Sequence, residues 1–233
     1  MNGEGIQKGV FMTSQSNGGE HLRQIPAGAL FLESNLGIPE NARGIVLFPY
    51  AIESEQRISY TESLAQLLRQ AGLATLLVDL LTSEEKALDA QTGYFRENVD
   101  VLHKRIIGIA NWLIEEPETQ NLRICYFGAG VTGAAALIAA AERPDAVVAV
   151  ISSSGRLDLA RNYLSRVIDP VLFIVGENDT RGKDLSREAL EQLHGEKQLE
   201  TIGGVTDPFE DANTQEGVAR LAIKWCEDHL GLG

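Results

Sequence analysis

Short apolar runs alternate along the chain with segments whose hydrophobic positions recur every three to four residues. That alternation is the pattern of βα units wound around a mostly parallel sheet. Ala29–Glu33, Gly44–Phe48, Thr75–Asp79, Leu122–Phe127, Val147–Ser152, Val171–Val175 and Gln198–Ile202 read as strands. Their near-continuous apolarity predicts burial on both faces. Tyr60, Leu64, Leu67, Leu68 and Ala71 share a helical stripe that stops at Gly72. Val99, Leu102, Ile106, Ala110 and Leu113 form a second stripe ending before Pro117, and Val218, Leu221, Ala222 and Trp225 form a last one. No linker-like run interrupts this order and no fixed-period repeat is visible, so a single α/β domain is expected from residue 22 to 233, with helices on both faces of the sheet.

The first 21 residues break the pattern. They hold five Gly among Asn, Gln and Ser and no sustained period, which reads as a mobile tail with at most one short strand around Val10–Met12. Composition narrows the function classes. The 33 Asp and Glu against 20 Lys and Arg give a net charge of −13, the wrong sign for a nucleic-acid or anionic-membrane partner. No apolar run is long enough to span a bilayer and the N-terminus lacks a signal-peptide pattern, so a soluble cytoplasmic protein is expected. Cys125 and Cys226 lie far apart in apolar surroundings, and a disulfide framework is not expected from two cysteines. Neither reads as a reactive thiol.

The densest chemistry-bearing stretch runs from Leu122 to Leu137, a strand leading through glycines into an alanine-rich helix. Gly128, Gly130 and Gly133 spell G-x-G-x-x-G, which in this setting can cradle a pyrophosphate at a helix N-terminus. An NAD site would need an acidic residue at the end of the next strand; here Ser152-Ser-Ser-Gly-Arg156 offers hydroxyls and a cation, closer to an NADP-like site. The same stretch also fits a nucleophile elbow, the sharp strand-to-helix turn of G-x-S-x-G. In that frame the nucleophile position is Gly130.

Further segments carry a resemblance. Gln24-Ile-Pro-Ala-Gly28 with Leu36-Gly-Ile-Pro-Glu40, the stretch Gly72 to Thr82 followed by Glu84 and Glu85, Asp89-Ala-Gln-Thr-Gly93, and the helix ending in Trp112-Leu113 all contribute. So do Tyr126-Phe-Gly-Ala129, Ala141-Glu-Arg-Pro-Asp145, Gly155-Arg-Leu-Asp-Leu-Ala160 and Ile174-Val-Gly-Glu-Asn-Asp179. Over about nine-tenths of its length the chain resembles the dienelactone-hydrolase-like branch of the α/β-hydrolase superfamily. The resemblance implies a three-layer α/β sandwich and, in an active member, a nucleophile, a histidine base, an orienting acid and an oxyanion loop.

Carried onto this sequence, Gly130 stands at the nucleophile, Asp179 keeps the acid, and Asp207 in Gly204-Val-Thr-Asp207-Pro-Phe-Glu210 takes the place of the histidine. Tyr50-Ala-Ile-Glu53 replaces the oxyanion glycines. Thr132 is conceivable as a displaced nucleophile, but no histidine stands near it: His103 and His194 are expected in helices, His229 in the last helix and His21 at the tail. A dismantled triad follows, and with it a non-catalytic module that binds a small anionic ligand or a protein partner, with no cofactor, as monomer or homodimer. The expected pocket is Tyr50, Ala51, Gly130, Val131, Ser153 and Phe209. Asp179 and Asp207 are expected to splay apart or stay solvated; a cation between them, helped by Glu177, Glu210 and Asp211, is a minor alternative. An atypical ester or lactone hydrolase, and nucleotide binding through the three glycines, stay open beside this reading.

Overall fold

A computed structural model describes residues 20–51, 54–96 and 98–230. Eight strands form one sheet in the order β1-β2-β4-β3-β5-β6-β7-β8. They are β1 (Glu20–Ala27), β2 (Leu30–Gly37), β3 (Ile45–Tyr50), β4 (Ala74–Asp79), β5 (Ile124–Ala129), β6 (Ala149–Ser153), β7 (Val171–Gly176) and β8 (Lys197–Ile202). The hairpin β1–β2 is antiparallel and β2 meets β4 antiparallel; the remaining pairs are parallel. The helices are α1 (Glu55–Gln70), α2 (Ser83–Thr92), α3 (Val99–Glu115), α4 (Val131–Glu142), α5 (Thr180–Gln192) and α6 (Gln215–His229).

The parallel connections return through α-helices, except that β6 reaches β7 through two short 3₁₀ turns, Leu157–Ala160 and Leu164–Arg166; α3, α4 and α5 lie on one face and α1 and α6 on the other. One core gathers Leu36, Leu47, Ile106, Leu137 and Phe173; the opposite core gathers Phe48, Leu64, Phe127, Ile151 and Trp225. Strands β3 to β7 are buried on both faces, as their apolar runs predict, except for Tyr50, Ala129 and the strand ends. Strand β8 departs from the prediction: it is the sheet's far edge, and its Lys197, Gln198 and Thr201 are exposed. Helix α4 is apolar on all sides because Thr132 to Ala141 is buried throughout between the sheet and α3.

Three elements escape the sequence pattern. Strand β1 begins at Glu20, within the segment expected as tail, and His21 lies on it; its register pairs buried Ile25 with buried Leu32 but leaves Leu22 largely exposed, so no continuous run marks it. Pro26 in β1 is tolerated because β1 is an edge. Helix α2 buries a single side chain, the carboxylate of Asp89, and so shows no apolar stripe; it is set instead by a capping box between Thr82 and Glu85. Helix α5 buries only Ser186 and Ala189. The strand suggested around Val10–Met12 lies outside the described residues. No helix among the described residues is long and apolar enough to cross a membrane.

Candidate functional site

The C-terminal ends of the parallel strands carry the candidate site, beginning at the β5–α4 junction. Gly130 caps α4 with φ 56° and ψ −124°, a combination open to glycine and strained for other residues. Its N–H donates to the Ser153 carbonyl (3.1 Å), and its own carbonyl accepts from the Arg156 N–H (2.9 Å). These two bonds lock the turn against the end of β6. A side chain added at Gly130 would meet no atom within 4 Å. The backbone therefore has the sharp, outward-facing turn of a nucleophile elbow, with nothing on it.

The neighbouring glycines are explained by packing. A Cβ at Gly128 would lie 2.5 Å from the Thr132 carbonyl oxygen and 2.6 Å from Gly133 Cα, and one at Gly133 would lie 2.4 Å from Ser152 Oγ. Strand and helix could not cross this closely with side chains there. The G-x-G-x-x-G spacing thus follows from the elbow and the tight β5–α4–β6 contact, without recourse to a pyrophosphate. Thr132 is 3% exposed, and its hydroxyl donates to the Ala129 carbonyl (2.8 Å) while accepting the Ala129 N–H (3.1 Å). Its proton is engaged in holding the turn, which is a poor starting point for a nucleophile.

The two carboxylates expected opposite the elbow are each committed elsewhere. Asp179 caps α5, its Oδ1 accepting from the Gly182 N–H (2.8 Å). Asp207 caps a short 3₁₀ turn, Pro208–Glu210, by accepting from the Phe209 N–H (2.9 Å), and its Oδ2 pairs with the Arg57 guanidinium (2.9 Å). No hydrogen bond joins the two acids among the described residues. Glu177 accepts from the Gly204 N–H and Asp211 from Asn213. Among the described residues no group of three or more His, Cys, Asp or Glu is placed to hold a metal ion, so the minor cation alternative gains no support.

Arg57 and the ring of Phe209 occupy the volume beside the elbow. The guanidinium carbon lies 5.6 Å from the Phe209 centroid, and Phe209 packs on Tyr60 (4.5 Å) and Phe127 (6.1 Å). Tyr60 is fixed in turn by a 3.0 Å hydrogen bond to Thr214. What is left is a cavity of about 20 Å³ between Tyr50, Arg57, Phe127, Thr132 and Phe209, room for roughly one water. Of the expected pocket residues, Tyr50 and Phe209 meet here. Gly130, Ala51 and Val131 are partly exposed outside this cavity, and Ser153 is fully buried beside Ala129 with a hydroxyl that has no partner among the described residues.

A second, roomier cavity of about 230 Å³ opens on the other side of Tyr50, lined by Ile58, Asp79, Lys86, Asp89, Ala90 and Arg96. Asp79, at the end of β4, is nearly buried; it accepts from the Leu81 N–H (3.0 Å) and binds the Lys86 ammonium. Burial pushes its carboxyl above the ordinary range, with Lys86 and the Leu81 N–H pulling the other way. Burial and the Asp79 charge push the Tyr50 phenol up to about 12, so it stays protonated near neutral pH and keeps its proton to donate. Asp89 accepts from the N–H groups of Phe95 (2.5 Å) and Arg96 (2.9 Å) and from Arg96 Nε (2.8 Å). Burial opposes its ionisation, but those hydrogen bonds and the Arg96 charge hold it below the usual carboxylate range.

Arg57, Lys86 and Arg96 carry no motif of their own, and pattern reading passed over them. The available signal for the last pair was Asp89 followed by Gly93 and Arg96, since Gly93 ends α2 in a left-handed turn (φ 66°) that folds Arg96 back onto Asp89. The histidines all lie away from the elbow. His103 sits in α3 against the Val99 carbonyl (2.9 Å) and Glu142 (3.3 Å), and His229 ends α6 against the Trp225 carbonyl and Glu196. His194, expected in a helix, instead follows the end of α5 in the loop leading to β8. That loop is at the opposite end of the sheet from the elbow.

Comparison with known proteins agrees with this architecture. The dienelactone hydrolase crystal structure from Anabaena variabilis superposes with a TM-score of 0.86 at 42% identity, covering 90% of this chain and 97% of that one. Est1E from Butyrivibrio proteoclasticus, at 15% identity and a TM-score of 0.72 over 90% and 99% of the two chains, shares the fold. A Mycobacterium tuberculosis protein named "Putative phosphoribosyl transferase" is 39% identical over 207 residues, which are 89% of this chain but 46% of that one. The chain thus spans about half the length of the curated relatives it matches. Residues 32–202 match the model of the dienelactone hydrolase family, and with that match and these relatives the chain belongs to the dienelactone hydrolase family.

Proposed function

We propose that this chain is a dienelactone hydrolase family member that no longer hydrolyses esters or lactones and acts by binding a protein partner. The elbow carries the reading: its backbone keeps the shape that presents a nucleophile, and the residue on it is Gly130. The surroundings support it. Asp207, in the base position, is taken by Arg57 and the Phe209 N–H, and Arg57 and the Phe209 ring line a cavity with room for roughly one water. A filled pocket favours surface recognition over small-molecule turnover. The longer relatives support a setting beside a second unit, because a stretch like this one makes up 46% of a chain named for phosphoribosyl transfer.

Hydrolysis of p-nitrophenyl acetate is expected at the buffer rate for the native chain and equally for Thr132→Ala and Asp179→Ala. Turnover above buffer that drops in either variant would overturn the reading in favour of an atypical hydrolase.

A second reading rests on a different observation, the polar cavity beside Tyr50. Lys86 and Arg96 stand on its rim, each about half exposed and each held from below by a buried carboxylate. With the Tyr50 hydroxyl they form a donor set suited to a small anion. Titration with inorganic phosphate and with benzoate, followed by thermal shift, separates the two. A saturable rise lost in Arg96→Ala supports the anion site, and unchanged melting at millimolar anion leaves the protein-partner reading alone.

A further inference from the structure

Two thiols that neither reading uses meet in the core beneath the last helix. Cys125 lies near the start of β5 and Cys226 near the end of α6, and their sulfurs are 3.3 Å apart with both residues buried. Cys125 is flanked on its sheet face by Val46 and Ala149 from the neighbouring strands. Cys226 comes down on it from a helix face that also carries Ala222 and Trp225. Both therefore belong to one packed layer, and the two sulfurs face each other across the boundary between sheet and helix.

We propose that Cys125 and Cys226 form a peroxide-driven oxidation site, in which an intramolecular disulfide pins the last helix to the central strand. A bonded pair needs a separation of about 2.05 Å, so the sulfurs must close by little more than an ångström, within reach of side-chain rotation. In the first step a thiolate sulfur attacks one oxygen of hydrogen peroxide. The O–O bond breaks, the departing hydroxide takes up the proton that the thiol shed on ionising and leaves as water, and a sulfenic acid remains. The second sulfur then attacks the sulfenyl sulfur, forming the S–S bond; its proton leaves with the departing hydroxyl as water. Two thiols and one hydrogen peroxide give one disulfide and two waters.

The reductant in this step is the dithiol itself, and access is the gate. Contact with Cys226 and burial push the Cys125 thiol well above its ordinary range, so the closed core is unreactive. The end of α6 is held by the buried side chains of Trp225 and Leu230 and by two ion pairs at its surface. Leu230 fills the hollow over Gly44, Glu227 pairs with Arg43 (2.7 Å), and His229 pairs with Glu196 (3.2 Å). The two ion pairs each include a partner that is well exposed. Local opening of this last turn breaks those contacts and uncovers Cys226, so the frequency of opening sets the rate of oxidation. Oxidation then closes a loop that spans about 100 residues and removes that opening.

The test treats the folded full chain, freshly reduced and freed of reductant, with hydrogen peroxide, then unfolds it in the presence of an alkylating agent. The expected result is loss of two hydrogens, no alkylation at either cysteine, a linked proteolytic peptide joining Cys125 to Cys226, and reversal by dithiothreitol. The oxidised chain should melt about 5 °C or more above the reduced one. Cys226→Ser should remove the linked peptide while Cys125 remains alkylatable after unfolding. Two alkylatable thiols after treatment, oxygen addition without a cross-link, or a disulfide between two chains would each overturn the proposal.

Discussion

Gly128→Ala should destabilise the chain by about 3 kcal/mol or more, enough to prevent folding if native stability lies at the low end of the usual range. The new methyl would enter the first turn of α4, within 2.6 Å of three backbone atoms of Thr132 and Gly133. None of those atoms can swing aside as a flexible side chain would. The helix would have to lift, and it is packed against both the sheet and α3 over ten buried residues. Gly130→Ala, only two residues away, should behave differently: its methyl meets nothing, and the cost comes from backbone strain at φ 56° and ψ −124°, roughly 1–3 kcal/mol. Urea unfolding of the two variants side by side measures the contrast. Equal losses would mean that the elbow is not the tight, outward-facing turn described above. Gly130→Ser has the same room and strain, and its ester hydrolysis should stay at the buffer rate, since Asp207 cannot act as the missing imidazole while paired with Arg57.

The sequence pattern and the resemblance together reached the fold because the parallel strands are buried on both faces and leave unbroken apolar runs. They under-read its margins, where burial is one-sided. Strand β1 is half solvated and carries a proline; α2 and α5 bury one or two side chains each and are held by caps rather than by an apolar stripe. At the site, Gly130, Asp179 and Asp207 were locatable because each occupies a fixed place in a turn or loop that adjoins a strand end. Arg57 was not, since a guanidinium on an exposed-looking helix start gives no hint that it folds over Phe209 to meet an acid 150 residues later. The same holds for Ser152, whose hydroxyl sits against Gly133 and Gly155 and helps explain glycines that would otherwise suggest a nucleotide. Such contacts are set by how elements converge in space, and linear spacing carries no record of them.

The far end of the sheet offers the second large effect. Asp169 stands just before β7, remote from the elbow, with an Oδ2 that is buried and has no hydrogen-bond partner among the described residues. Burial, reinforced by the Asp145 charge and opposed by a backbone N–H, pushes its carboxyl up to about 6 from an ordinary 3.8. The native state therefore holds this proton more tightly than the unfolded chain does. The resulting stabilisation is complete below about pH 4 and is lost as pH rises through about 6. A fully sheltered group with this displacement would account for about 3 kcal/mol, and partial access to solvent reduces that to about 1–2 kcal/mol. Asp169→Asn keeps the shape of the protonated acid and cannot ionise, so it should be more stable than the native chain by that amount at pH 7.5. The nearby Tyr126 hydroxyl, buried and likewise without a described partner, remains a donor that the new amide oxygen could accept from. Urea midpoints at pH 4 and pH 7.5 decide the matter. The gain should vanish at the lower pH, where both chains carry a neutral group at position 169; a gain of the same size at both pH values would trace the effect to packing instead of to the buried charge.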